Sequence, residues 1–297
     1  MNASKDVIIR ATAEKAPLRF VLADITKTMN EIGAMHNAEA WSLCMMAEAA
    51  VASLFLSSSL KMAGTASVQA VFSGDINLIQ ADTTPMGLIR AMIPTEDIDR
   101  VGDFEPLLSP QVLKVRKFNE HGKVVSESVI EITSTKMGKN LARFLLQSEQ
   151  TRSAVGIEAA PNPENPKELL YAVGFMVEAF PGIEEHTTYI IEEVIRTLPP
   201  FKSFYNPEQG YHLMGLLDGV SGPFSVQVLK EIEPKAFCPC SKVRSLHSIK
   251  LLEKKELREL ISKQDELEVT CDFCRKSYFI TAEEINKILN NPEQNKE

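Results

Sequence analysis

Nothing in this sequence is built to attract a polyanion. Lys and Arg number 32 against 40 Asp and Glu, a formal net charge of -8. An acidic chain repels phosphate backbones, so general nucleic-acid binding is not expected. The imbalance is confined to the first 237 residues, with 21 basic against 29 acidic side chains, whereas Cys238 to the C-terminus carries 11 of each. The short catalytic signatures are missing as well: no G-x-S-x-G, H-E-x-x-H, P-loop or G-x-G-x-x-G occurs. Those absences remove the motif-based routes to a hydrolase, a nucleotide triphosphatase or a dinucleotide enzyme, and no enzyme is expected. There is no internal repeat, and no low-complexity run beyond the polar tail Asn290–Glu297.

Long apolar runs are scarce. Met1–Arg10 mixes acid and base with no apolar segment, unlike a secretory signal. The most apolar stretch, Leu43–Leu60, contains Glu48 and the run Ser57, Ser58, Ser59. It reads as a buried helix rather than a membrane span. No membrane partner and a cytoplasmic location are therefore expected. Structural disulfides are rare there, so clustered cysteines point to metal or redox chemistry.

What is present is enough apolar material for a real interior. Hydrophobic residues make up 44% of the 297, and the length suits roughly two domains of about 150 residues. Strand-like segments are Val7–Ala11, Leu18–Ala23, Ala66–Phe72, Asn77–Ala81, Leu88–Ile93, Val112–Phe118, Lys123–Thr133 and Leu170–Ala179. Turns fall at Ser73-Gly74-Asp75, Thr84-Pro85 and Asn119-Glu120-His121-Gly122. Helical spacing marks Thr26–His36, Ala38–Lys61 and Met137–Gln150. The fold class expected is α+β, with an N-terminal mixed α/β domain over 1–182.

After Pro181-Gly182 the pattern changes. An amphipathic helix over Ile183–Leu198 is stopped by Pro199-Pro200. A short helix at Tyr211–Leu217 and a strand at Phe224–Ile232 follow, among many prolines and glycines. Residues 183–236 read as a connector with little core of its own. From Phe237 a compact module of about 60 residues begins.

The five cysteines are Cys44, Cys238, Cys240, Cys271 and Cys274. Cys44 sits in an apolar helix and reads as an inert core residue. The other four form Cys-x-Cys, a 30-residue interval and Cys-x-x-Cys. Zinc is commonly held by four thiolates in a tetrahedron, with ligand pairs on tight turns. Pro239 restricts the first pair and pre-organises its sulfurs. His247 lies between the pairs, but four thiolates already complete the tetrahedron. A closed tetrahedron leaves no open position for a catalytic zinc.

Zinc here has a structural reading and a switching one. A module of this size is marginal on a hydrophobic core alone. A structural zinc site is worth roughly 10–16 kcal/mol, so oxidising its thiolates removes the metal and the fold together. Four cysteines allow three disulfide connectivities. Closing short loops costs little entropy, which favours Cys238 with Cys240 and Cys271 with Cys274. The first ring is tight and should be readily reduced. A competing reading is a zinc ribbon that recruits nucleic acid or transcription machinery, against which the acidic body and neutral module count.

The residues Phe237-Cys-Pro-Cys-Ser241, Cys271-Asp-Phe-Cys274 and Tyr278 resemble the redox-regulated heat-shock protein 33 family, or 33 kDa chaperonin. So do Ser148-Glu149-Gln150, the strand Ala172-Val-Gly-Phe175 leading to Phe180-Pro181-Gly182, and Arg90 in Gly-Leu-Ile-Arg. The resemblance implies an N-terminal α/β domain (1–182), a metastable helical linker (183–236) and a small zinc-binding redox domain (237–297). It implies Cys238, Cys240, Cys271 and Cys274 as ligands of one zinc ion in an inactive reduced state. Oxidation to the Cys238–Cys240 and Cys271–Cys274 disulfides then releases zinc and unfolds the linker. The activated protein, typically a homodimer, holds unfolding client proteins without ATP. This sequence departs from the family pattern at Val243, where an acidic residue is usual, and at Ala91-Met92 in place of Gly-Tyr. It has Val173 where a second glycine is common, and lacks Pro-Thr after Gln150.

Overall fold

The computed structural model describes residues 5–61, 63–71, 78–93, 112–263 and 266–290. The chain separates into two compact units, Met1–Phe237 and Cys238–Glu297.

In the first unit the alternating segments build two sheets. One has the order β12-β1-β2-β9-β8, formed by β1 (Val7–Ala13), β2 (Leu18–Asp24), β8 (Ser153–Pro161), β9 (Leu169–Ala179) and β12 (Val226–Ile232). All its pairings are antiparallel. The other has the order β13-β5-β4-β3-β6-β7, from β3 (Thr65–Val71), β4 (Leu78–Thr83), β5 (Leu88–Met92), β6 (Val112–Phe118), β7 (Val124–Glu131) and β13 (Lys235–Ala236). Only β13 runs parallel to its neighbour, β5. The turn at Ser73-Gly74-Asp75 lies outside the described residues; the hairpin turn at Asn119–Gly122 joins β6 to β7 and is closed by Gly122 N–H donating to Asn119 O.

Three helices fill the space between the sheets: α1 (Thr26–His36), α2 (Ala40–Ser57) and α3 (Met137–Ser148). α2 is apolar and long enough to span a bilayer, yet 78% of it is buried inside the unit. Its apolarity is that of a helix covered on all sides by protein. It ends four residues before the Lys61 expected from the sequence. The hydroxyls of Ser57, Ser58 and Ser59 each donate to a carbonyl three residues back, to Leu54, Phe55 and Leu56. Such back-bonding competes with the helical ladder and closes the last turn. Glu48 lines a pocket of about 430 Å³ with Trp41, Cys44, Met137 and Glu158. Burial pushes its carboxyl up to about 7.

β9 is apolar almost without a break because both of its faces are covered. Alternation sends Ala172 and Met176 towards the helices between the sheets. Tyr171, Val173, Phe175 and Val177 face the opposite side. This explains one departure noted above. Val173 has room on the outer face, where it is fully buried. Gly174 has none: a Cβ there would lie 2.7 Å from Gly156 O and 2.8 Å from Val51 Cγ1. Gly174→Ala is expected to cost about 3 kcal/mol or more through overpacking, measured as a drop in the denaturant midpoint. A loss under 0.5 kcal/mol would show that α2 yields easily. Ala91 is also fully buried, in the core between the sheets.

The outer face of the first sheet is covered by residues 183–236. They form α4 (Glu185–Thr197), a 3-10 turn at Phe201–Phe204, the small strands β10 (Tyr205–Asn206) and β11 (Gly210–Tyr211), and α5 (Leu213–Ser221). β12 and β13 then pair with the two sheets. The breaker-rich composition suggests a connector with little core of its own. Leu216, Leu217 and Val220 are fully buried, packed against Phe20, Leu22 and Val177 of the sheet. The connector's prolines and glycines delimit short elements, and the core they join belongs to the sheet beneath. α5 also starts later than expected, at Leu213, because Tyr211 is taken by the pairing with Tyr205.

The second unit contains α6 (Lys242–Ile249), α7 (Lys254–Lys263), the hairpin β14 (Glu266–Thr270) and β15 (Ser277–Thr281), and α8 (Ala282–Asn290). Among its described residues, Ile249, Leu257, Ile280 and Ile285 are the buried apolar side chains. Phe237 belongs to the first unit, its N–H donating to Ile89 O.

Candidate metal centre

Two tight turns of the second unit carry the four cysteines. The β14–β15 hairpin runs in register from Glu266↔Thr281 to Thr270↔Ser277. The turn that joins its strands is closed by Cys271 N–H donating to Lys276 O at 3.0 Å and Arg275 N–H donating to Cys271 O at 2.8 Å. Arg275 takes a left-handed φ of 57° there, a conformation glycine adopts more readily. Cys238-Pro239-Cys240 leads directly into α6. Ser241 is the helix cap, its Oγ accepting from Arg244 N–H at 3.3 Å.

The two turns bring the four sulfurs into one cluster. Their Sγ atoms all lie within 4.8 Å of one another. Cys238 is 3.7 Å from Cys271, and Cys240 is 3.3 Å from Cys274. With Zn–S bonds of about 2.3 Å, sulfurs at the corners of a tetrahedron stand about 3.8 Å apart. The cluster therefore fits a divalent thiophilic ion. All five cysteines are free thiols. Backbone N–H groups are already aimed at two of the sulfurs, from Cys240 to Cys238 and from Lys276 to Cys274. Such bonds stabilise thiolate charge and orient the ligands.

The thiols compete for protons. Burial and the neighbouring thiols push Cys238 up, and they push Cys274 up to about 12. Burial also opposes ionisation of Cys240, but hydrogen bonds from Tyr278 and from the other cysteines outweigh it and bring it to about 7. A divalent cation is what lets four adjacent thiols ionise together.

His247, in α6, is outside the sulfur cluster, and Cys44 is buried in α2. Val243 is 61% exposed on α6, so its departure from the acidic pattern sits at the surface. Sequence reading gave no role to Tyr278, whose hydroxyl is 3.1 Å from Cys240 Sγ. Its position four residues after Cys274 is visible in the chain, but only the hairpin register aims it at the first cysteine pair.

Residues 6–281 match the model of the family described as Hsp33 protein. The chain is 28% identical over 295 residues to the 33 kDa chaperonin of Bacillus velezensis, covering 95% of this chain and 98% of that one. It is equally similar to the 33 kDa chaperonin of Staphylococcus aureus, covering 96% and 98%. In fold it is similar to the crystal structure of the 33 kDa chaperonin of Thermotoga maritima, with a TM-score of 0.80 at 19% identity over 96% of this chain and 98% of that one. A family match that runs from β1 to the end of β15, taking in both cysteine turns, leaves one conclusion: the chain belongs to the Hsp33 chaperone family.

Proposed function

We propose that this protein is a redox-regulated, ATP-independent holdase of the cytoplasm, not an enzyme. The observation that carries the reading is the four-sulfur cluster in a unit where Ile249, Leu257, Ile280 and Ile285 are the buried apolar side chains among the described residues. In the reduced state Cys238, Cys240, Cys271 and Cys274 hold one Zn²⁺, and residues 183–236 stay on their sheet. A hydroperoxide oxidises one thiolate: the sulfur attacks an oxygen, the O–O bond breaks, and a sulfenic acid and hydroxide form. A second thiolate displaces hydroxide from that sulfenic acid, closing a disulfide. Each disulfide thus passes two electrons to one peroxide. Disulfides Cys238–Cys240 and Cys271–Cys274 leave no thiolates for the metal. Zinc loss unfolds the 237–297 domain, the 183–236 linker follows, and the bared 1–182 surface holds unfolding clients, with homodimers forming in this state.

The test is zinc release recorded beside light scattering of a thermally unfolding client, with reduced and peroxide-treated protein. About one zinc per chain should leave as suppression of aggregation switches on. A reduced protein that is already fully active, with no change on oxidation, defeats the switch. A salt-dependent affinity for RNA or DNA would instead favour the zinc-ribbon reading.

A further inference from the structure

We infer that Tyr278 is a positioning residue that restrains oxidation of the thiolate centre by donating its hydroxyl hydrogen to Cys240 Sγ. The inference rests on the proposed four-thiolate zinc site. The hydroxyl stands 3.1 Å from that sulfur. With Cys240 a metal-bound thiolate, the sulfur has no proton to give, so the phenol is the donor. The bond reaches across the module. Tyr278 lies on β15, opposite Val269 of β14, while Cys240 precedes α6. It therefore ties the second cysteine of the first pair to the hairpin that carries the second pair.

The neighbourhood favours donation. The Lys276 ammonium lies 5.5 Å from the centre of the Tyr278 ring. A cation over the face of a phenol draws electron density from it and strengthens its O–H as a donor. The same lysine supplies the backbone N–H aimed at Cys274. Lys276 and Tyr278 thus bring a side-chain donor, a backbone donor and a positive charge to one edge of the cluster.

A sulfur that accepts a hydrogen bond has less lone-pair density to offer an oxidant. Reaction with a hydroperoxide needs that density: the sulfur attacks one oxygen, the O–O bond breaks and hydroxide leaves. The Tyr278 bond must weaken as the sulfur is consumed, which raises the barrier. A charge-assisted hydrogen bond at a partly exposed site corresponds to roughly five- to tenfold in rate.

The experiment uses the full-length reduced protein and Tyr278→Phe. Metal content of the wild type tests the zinc site on its own, and absence of bound zinc there defeats the proposed function before this inference is reached. In the variant, peroxide-driven zinc release should quicken about five- to tenfold. The sulfur-to-metal charge-transfer band of the cobalt-substituted variant should move to lower energy, a shift that a merely structural role would not produce. A 3-fluorotyrosine installed at 278 is a stronger donor of nearly the same shape. It should slow release and move the band the other way, and it decides the matter if Tyr278→Phe fails to hold metal. Release rates within twofold of wild type and unmoved bands in the variants that hold metal overturn the role assigned to Tyr278.

Discussion

Removing the metal from the reduced protein, by chelation or by Cys271→Ser, should unfold the second unit while the central strands of the first unit, β2 and β9 among them, persist. The expectation follows from the size of each contribution. Among the described residues of the second unit, Ile249, Leu257, Ile280 and Ile285 are buried, whereas α2 alone buries Leu43, Met46, Val51, Leu54, Phe55 and Leu56. A core in a module below about 70 residues rarely supplies more than 3–5 kcal/mol. A four-thiolate zinc supplies roughly 10–16 kcal/mol at neutral pH. Without it, both turns also lose the reason to hold like thiolates together. Cys271→Ser should leave only three thiolates and a weaker ligand, too few to retain the ion, and the unit should exchange its amide hydrogens rapidly in α6 and β15. The slow-exchanging amides of β2 and β9 should not change, because their core is independent of the metal. Hydrogen exchange resolved by peptide separates the outcomes. If the metal-free second unit keeps its protection, zinc is an ornament on a self-sufficient fold and metal loss cannot drive a conformational switch.

The site was legible in the chain where its chemistry is local. Cys238-Pro239-Cys240 and Cys271-Asp272-Phe273-Cys274 announce a four-sulfur centre by spacing, because ligands on one turn must be close in sequence. Tyr278 was visible as a residue but not as a donor, since its partner lies 38 positions away and the hairpin register brings them together. The same distinction runs through the fold. α1 and α3 follow from periodicity, and β9 from an unbroken apolar run, because each has its pattern within a dozen residues. β8 was not anticipated: Ser153–Pro161 is rich in alanine with a central glycine, a composition with weak strand preference. It forms a strand because β9 supplies its ladder, and glycine stands at 156 because a Cβ there would lie 2.7 Å from Phe175 Cζ and 2.9 Å from Phe201 Cζ. The helices α6, α7 and α8 are short and polar enough that no run of apolar residues marked them. Residues 183–236 posed the opposite problem. Their breakers were easy to see, but the sheet face that gives Leu216 and Leu217 somewhere to go is made by β1, β2 and β9, far away in sequence.

That borrowed core leads to the second large effect. Leu217→Ala should make the reduced, zinc-loaded protein hold unfolding clients without oxidant. Leu217 is fully buried, and truncating such a leucine costs roughly 2–5 kcal/mol. The cover has little reserve to absorb that loss. In α4 only Ile191 is buried, while Tyr189 is 61% exposed. The Tyr211 hydroxyl is buried with no hydrogen-bond partner among the described residues, a burden of about 1–3 kcal/mol. Burial accordingly pushes its ionisation far up. When the cover lifts, Phe20, Leu22, Tyr171, Val173, Phe175 and Val177 come into the open on one sheet face, a continuous apolar patch of the kind that captures unfolded chains. Tyr211→Phe supplies the opposite sign. It removes the unpartnered hydroxyl while keeping the ring against Tyr171 at 5.4 Å between centroids. The cover should tighten, and more oxidant or a higher temperature should be needed for activity. Bound zinc should equal that of the wild type in both reduced variants, since neither residue belongs to the second unit. Client light scattering, zinc content and exchange of α5 amides measured on the same samples decide the question. Should Leu217→Ala free the α5 amides yet leave the reduced protein inactive, the apolar sheet face is not the surface that holds clients, and the activating event lies in the second unit itself.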